Sequence, residues 1–186
     1  GRKERVKELL EDDLDVNRKL DKRGDRALIS AAQNGHKEVC ELLIEKGAEA
    51  EIVTKKGSTA LMLAAFNGYK EVCELLIEKG AELDTANKDG WTALMIASQN
   101  AQKEVCKLLI EKGAELDTAN KGGWTALMLS AKNGRKEVCK LLIEKEAKVN
   151  LANEYGETVL MLAAFNGYKE VCELLIEKGA ELDTAN

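Results

Sequence analysis

There is no proline in this sequence, a single histidine, and only seven aromatic side chains. Without proline no helix is broken by a locked φ, so the turns must come from glycine and short polar residues. A lone histidine leaves no His cluster for a metal and little room for a Ser–His or Cys–His nucleophile. No Cys-x-x-Cys pair and no glycine-rich phosphate loop occur, since apart from the adjacent Gly122 and Gly123 the glycines stand isolated. No apolar run approaches the ~18 residues a membrane helix needs, and no signal peptide opens the chain, so no membrane partner is expected. The formal charge of −5 leaves no basic stripe of the kind a phosphate backbone demands, so nucleic acid is not expected either.

What the chain does have is repetition. Leu61–Asn87 recurs without a change as Leu160–Asn186, 99 residues later, which is three times 33. Gly24, Gly57, Gly90, Gly123 and Gly156 fall 33 apart, as do all five cysteines, Cys40, Cys73, Cys106, Cys139 and Cys172. A fixed period of this size marks a stacked array rather than one central core. The units read as a half unit at 1–20 and full units at 21–53, 54–86, 87–119, 120–152 and 153–186. In the half unit Val6, Leu9 and Leu10 stand 33 residues before Val39, Leu42 and Leu43. A chain that opens on Gly and stops at Asn186, in mid-connector, is expected to be cut from something longer.

Each full unit predicts two short helices. In the second, Thr59 is a plausible N-cap, and Leu61, Met62, Ala64 and Ala65 share one helical face. Asn67-Gly68 signals a turn. A second helix begins near Lys70, with Val72, Cys73, Leu75, Leu76 and Ile77 on its buried side. Gly80 stands where a helix end wants a left-handed residue, and Ala81–Gly90 is a polar connector long enough for a protruding turn or hairpin. Helices this short are marginal alone; paired alanines allow close approach between units, and stacking buries the leucines.

The pattern G-x-T-A-L-M-x-A-A-x-N-G-x-K-E-V-C-x-L-L-I-E-K-G-A resembles the ankyrin repeat, whose familiar segment is G-x-T-P-L-H-x-A-A. The matching stretches are Arg26-Ala27-Leu28-Ile29, Thr59-Ala60-Leu61-Met62, Thr92-Ala93-Leu94-Met95, Thr125-Ala126-Leu127-Met128 and Thr158-Val159-Leu160-Met161. The family's Pro is Ala or Val here, and its His is Met or Ile. That His bonds neighbouring loops in the family, so its loss bears on loop rigidity and not on the fold. The resemblance implies an all-α ankyrin-repeat solenoid of antiparallel helix pairs, with loops projecting to one side and a concave surface that binds proteins.

Against catalysis, the one histidine, His36, falls in the inter-helix turn, and Glu71 and Glu74 lie on an outer helix face beside Lys70 and Lys79. The cysteines share one buried helix slot, on helices spaced ~8–10 Å apart, too far for the roughly 7 Å Cα reach of a disulfide. They read as small buried hydrophobes in a reducing, cytoplasmic compartment. Met62, Met95, Met128 and Met161 read as packing between units. Ala101 and Glu146 replace the glycines of the turn and of the second helix end. Ser98 and Ser130 replace core alanines, where a backbone bond one turn back is expected.

The units differ in four columns. The residue before the loop glycine runs Arg23, Lys56, Asp89, Gly122, Tyr155, and the one after it Asp25, Ser58, Trp91, Trp124, Glu157. The end of the first helix runs Gln33, Phe66, Gln99, Lys132, Phe165, and the turn His36, Tyr69, Gln102, Arg135, Tyr168. All seven aromatics fall in these columns. Exposed rings among Arg and Gln are the material of interface hot spots. The expected protein-binding residues are therefore Lys56, Phe66, Tyr69, Asp89, Trp91, Gln99, Trp124, Lys132, Arg135, Tyr155, Phe165 and Tyr168. Trp91 and Trp124, side by side about 10 Å apart, would form a ladder that Tyr155 extends. The expected role is a non-enzymatic protein- or peptide-binding module without cofactor or metal. The alternatives are a structural or engineered scaffold fragment with no dedicated ligand, or rings that merely cover neighbouring units. Bare ends would add weak end-to-end self-association.

Overall fold

The computed structural model describes residues 16–17 and 26–181. The helix read at Val6, Leu9 and Leu10 and the end of the last connector lie outside these residues. Among the described residues ten α-helices form helix–turn–helix pairs: α1 (Ala27–Gln33) with α2 (Lys37–Glu45), α3 (Ala60–Asn67) with α4 (Lys70–Glu78), α5 (Ala93–Gln99) with α6 (Lys103–Glu111), α7 (Ala126–Lys132) with α8 (Lys136–Glu144), and α9 (Val159–Phe165) with α10 (Lys169–Glu177).

The local chemistry of each pair repeats. The Thr59 hydroxyl accepts the Met62 N–H at 3.2 Å, and Thr92, Thr125 and Thr158 cap α5, α7 and α9 in the same way. The first pair departs from this: Arg26 holds the cap position and gives no side-chain cap. Its Nε instead donates to the Asn17 carbonyl at 2.9 Å and its Nη1 to the Val53 carbonyl at 3.0 Å. The turn at Gly68 has φ 78°, and the following Tyr69 N–H returns to the Ala64 carbonyl at 3.0 Å.

The first helices of neighbouring pairs pack directly on each other, while the second helices touch less. The alanines are the reason: Ala32, Ala64, Ala65, Ala97 and Ala131 are fully buried, and without longer side chains the backbones close in. Closer spacing of the first helices puts them on the inner side of the array. Val72, Cys73, Leu75 and Leu76 bury the inward face of α4, as the pattern predicts. Ile77 does not join them; it lies half-buried at the rim of the core. One continuous apolar cluster runs from Leu28 to Ala180. Fully burying a Leu contributes roughly 1.5–3 kcal/mol, so the stacked leucines outweigh the poor helicity of seven-residue pieces.

The connectors carry two β-bridges, Val53 with Thr59 and Ala152 with Thr158. An asparagine absent from the sequence reading organises the loops. Asn87 Oδ1 accepts the N–H of Asp89 at 2.9 Å and of Trp91 at 3.0 Å. Asn120 does the same for Gly122 and Trp124, and Asn153 for Tyr155 and Glu157. Neighbouring loops are then joined by backbone bonds: Lys88 N–H to the Lys56 carbonyl at 3.1 Å, Lys121 N–H to Asp89 at 3.2 Å, and Glu154 N–H to Gly122 at 3.2 Å. So the loops are tied together without the family's histidine. This close approach dictates the loop glycine, because a Cβ on Gly123 (φ 75°) would stand 2.7 Å from the Glu154 nitrogen. A second row of ties crosses the units beyond the second helices. There Glu51, Asp84, Asp117 and Asn150 accept the N–H groups of Glu82, Glu115, Lys148 and Glu181 at 2.9–3.0 Å.

Of the five cysteines, all free, Cys40, Cys73, Cys106 and Cys139 are buried, but Cys172 is only half-buried. The reading of uniform burial fails there because no described residue stacks on the side of α9 and α10 that faces away from α7 and α8. Met161, 41% exposed, is left open for the same reason, although Met62, Met95 and Met128 are buried. Burial pushes the Cys40 and Cys73 thiols up to about 12. It raises Cys106 and Cys139 to about 11, the lift being softened by the hydroxyls of Ser98 and Ser130. Those hydroxyls lie 3.6 and 3.1 Å from the sulfurs. Ser130 also donates to the Leu127 carbonyl at 2.8 Å, the expected backbone bond; Ser98 finds its partner in Cys106.

Four outcomes are expected. In thiol titration of the native protein Cys172 reacts first and the other four slowly, with five free thiols after denaturation. For pH, unfolded thiols ionise near 9.0 whereas folded Cys73 is held to about 12. The unfolded state therefore binds fewer protons between these values, and stability falls as pH rises through that window. Cys73→Val should lose less stability between pH 8 and pH 10.5 than the parent, read from urea midpoints. Glu146 sits at φ 71° and its N–H bonds the Ile143 carbonyl three residues back, as Gly113 bonds Ile110, with Ala147 and Ala114 next in line each reaching five back. Glu146→Gly should thus gain about 0.5–1 kcal/mol. The converse pair separates conformation from crowding. Gly113→Ala, with nothing within 4 Å of its Cβ, should cost about 1 kcal/mol, and Gly123→Ala at least twice that.

Candidate functional site

The four variable columns fall on the loop tips, the loop bases, the ends of the first helices and the inter-helix turns. Each column has its own structural duty. At the tips, Lys56 and Asp89 are exposed and Tyr155 is 76% exposed; their own structural ties are made by the backbone. A tip side chain can thus change without disturbing the ladder of loops.

At the loop bases Trp91 and Trp124 are half-buried, packed against the core with part of each indole open. Their backbones are held at both groups: Trp91 N–H to Asn87 Oδ1 at 3.0 Å and its carbonyl to the Asn87 N–H at 3.0 Å, with Asn120 serving Trp124 equally. The Lys132 ammonium stands 4.3 Å from the centre of the Trp124 ring, a cation–π contact worth about 0.5–1 kcal/mol at an exposed site. The equivalent Glu157 has no ring, and its carboxylate accepts from Asn153 Nδ2 at 2.8 Å.

At the helix ends, Phe66 is 52% and Phe165 91% exposed, with Lys132 exposed and Gln99 half-buried. The turn column works between units. The Tyr69 ring lies over Gly35 of the preceding turn and the Tyr168 ring over Gly134; a Cβ on either glycine would meet the ring at 2.6–2.7 Å. Gln102 Nε2 reaches back to the Phe66 carbonyl at 3.2 Å, and Arg135 Nε to the Gln99 carbonyl at 3.1 Å. Tyr69, Arg135 and Tyr168 therefore staple adjacent turns and show only part of themselves outward. The structure brings Trp124 and Lys132 together within one unit, and Gln99 and Arg135 across two.

The opposite, outer face is a field of compensated charge. Lys103 pairs with Glu137 at 3.3 Å and Lys136 with Glu170 at 3.4 Å, all exposed; such pairs add little stability. Among the described residues no three His, Cys, Asp or Glu side chains converge as a metal site, and no helix is long and apolar enough to cross a membrane. His36 stands at the N-terminal boundary of α2 with no side-chain cap bond. Around Met161, Cys172 and Ile176 an open depression of about 330 Å³ is lined also by Thr158, Leu160 and Ala164. Two signals for the loop geometry were present in the sequence and went unread. Asn87, Asn120 and Asn153 recur every 33 residues, as do the acceptors Glu51, Asp84, Asp117 and Asn150.

No curated protein sequence matches the chain. The family model described as ankyrin repeats, in three copies, matches residues 1–53, 46–120 and 116–186. Repeats of this family are generally protein–protein interaction modules and generally without enzymatic activity. With the match spanning the sequence, and capped helix pairs stacked through alanine faces and hydrogen-bonded loops, the chain belongs to the ankyrin-repeat family.

Proposed function

We propose that this chain is a non-enzymatic binding module that takes a segment of a partner protein along its first-helix side and loop bases. The observation that carries the reading is the pair Trp91 and Trp124. Both indoles are partly open on backbones fixed by Asn87 and Asn120, and Lys132 borders the second ring. A surface already ordered before binding loses little side-chain entropy on docking. Aromatic anchors with a polar border are the composition of hot spots. Lys56, Asp89, Gln99, Arg135 and Tyr155 are assigned to the same surface. Phe66 and Phe165, with the outward edges of Tyr69 and Tyr168, extend the surface along the inter-helix side. The free cysteines suit a reducing intracellular compartment. The open face around Met161 and Ile176 is the place from which weak self-association would start.

A pull-down from lysate, run with the parent beside Trp91→Ala/Trp124→Ala, tests the reading. Proteins retained by the parent should be lost from the double variant, with a loss of at least ~2 kcal/mol in affinity for any one purified. The double variant should lose less stability in urea than Leu94→Ala, whose side chain is 1% exposed and whose truncation costs ~2–5 kcal/mol. Equal retention by both proteins, or unfolding of the double variant, would return the tryptophans to packing between units.

A further inference from the structure

The sequence has no basic run along the chain, but stacking builds a basic row across it. Lys55, Lys88 and Lys121 hold one position in three consecutive loops, 33 residues apart, and Glu154 ends the column. The column is held in register by the backbone bonds between loops, Lys88 N–H to Lys56 and Lys121 N–H to Asp89. Lys56 adds a further ammonium beside Lys88. Lys103 and Lys136 find glutamates in the next unit, whereas Lys56, Lys88 and Lys121, all exposed, form no ion pair with any described residue. On a chain of net charge −5, Lys56, Lys88 and Lys121 set a cationic edge next to the Trp91 and Trp124 row.

We infer that the docked segment is acidic and extended, with carboxylates that recur at every third residue. The spacing follows from geometry. Stacked units advance by the distance between packed helices, about 8–10 Å. An extended chain in the polyproline II form rises about 3.1 Å per residue with three residues per turn, so three residues span one unit and bring positions i and i+3 to the same side. Carboxylates at positions i and i+3 would face Lys88 and Lys121, and apolar residues between them would reach the indoles three residues further along each loop. Asp89 lies exposed between the two lysines. It opposes a polyanion charged at every step but leaves room for one whose charges skip. For that reason the edge suits an acidic peptide better than a nucleic-acid strand.

The inference rests on the docking reading above, and one experiment separates their failures. A displayed library of random twelve-residue peptides is selected against the full chain, and the enriched peptides are measured by fluorescence anisotropy. Four proteins are compared: the parent, Lys88→Gln/Lys121→Gln, Lys112→Gln/Lys145→Gln as a charge-matched control on exposed second-helix ends, and Trp91→Ala/Trp124→Ala. The expected result is enrichment of Asp or Glu at every third position. Binding should be about three- to tenfold weaker for the Lys88/Lys121 variant, should fall as salt is raised, and should be unchanged for the control. Peptides without acidic bias, or equal weakening by both lysine pairs, overturn the charge inference; if they still depend on Trp91 and Trp124, the docking reading stands. No enrichment, or binding indifferent to both the lysines and the tryptophans, overturns both. A twelve-nucleotide single strand that displaces the peptide through Lys88 and Lys121 at equal concentration would overturn the choice of an acidic peptide in favour of nucleic acid.

Discussion

A helix of seven residues has too few internal hydrogen bonds to repay its nucleation, so none of these helices holds itself together in water. Each is kept by its neighbours, and the contact that keeps them is the alanine face of the first helices. Ala64 and Ala65 are completely buried between adjacent pairs, and their small size sets how closely the pairs approach. That spacing then governs the rest. It brings the loops near enough for Lys88 to bond Lys56, and so near that Gly123 has no room for a Cβ. It also carries each turn under the side chain of the next, as Gly35 lies under Tyr69.

Left-handed backbone positions respond to the same constraint in two ways. The glycines of the loops are wedged against the neighbouring backbone, where any side chain would collide. Those at the ends of the second helices face open space, and there only the conformation itself is costly. Glu146 occupies such an end and makes the same bonds as its glycine counterparts. Ala101, at φ 60°, does so in a turn that Arg135 of the next unit crosses to reach Gln99. The array thus absorbs non-glycine residues where stacking leaves room.

Much of this was legible because a period places every position in known company. The 33-residue recurrence of Leu61–Asn87, Thr59 as a cap and the cysteine slot follow from local chemistry read once and repeated. What escaped reading depends on contacts that only the folded chain makes, within a unit or between units. Asn87 looks like any polar loop residue until its carboxamide meets two N–H groups of its own loop. Ser98 promises a backbone bond, yet the sulfur of Cys106 lies within its reach. Tyr69 reads equally well as a hot spot or as a cover, and its ring does cover the preceding turn. Cys172 has the sequence surroundings of Cys73 and a different exposure, since burial there is conferred by whatever stacks next.

Positions divide according to whether their duty is done by side chain or backbone. Leu94, Ala97 and Cys106 are fixed by what their side chains touch, and they barely vary from unit to unit. At the loop tips the structural work falls to N–H and C=O groups, which every residue but proline supplies in full. Lys56, Asp89, Gly122 and Tyr155 can therefore replace one another in the same column while the ladder of loops persists. The absence of proline belongs to the same logic, for a proline at Lys88, Lys121 or Glu154 would remove the donor that joins two loops. Variation is thereby confined to side chains that project from an invariant, preorganised frame, which lets a repeating core present a non-repeating surface. In this chain that surface sets two partly open indoles beside a row of lysines, and the loop bonds hold both in register from one unit to the next.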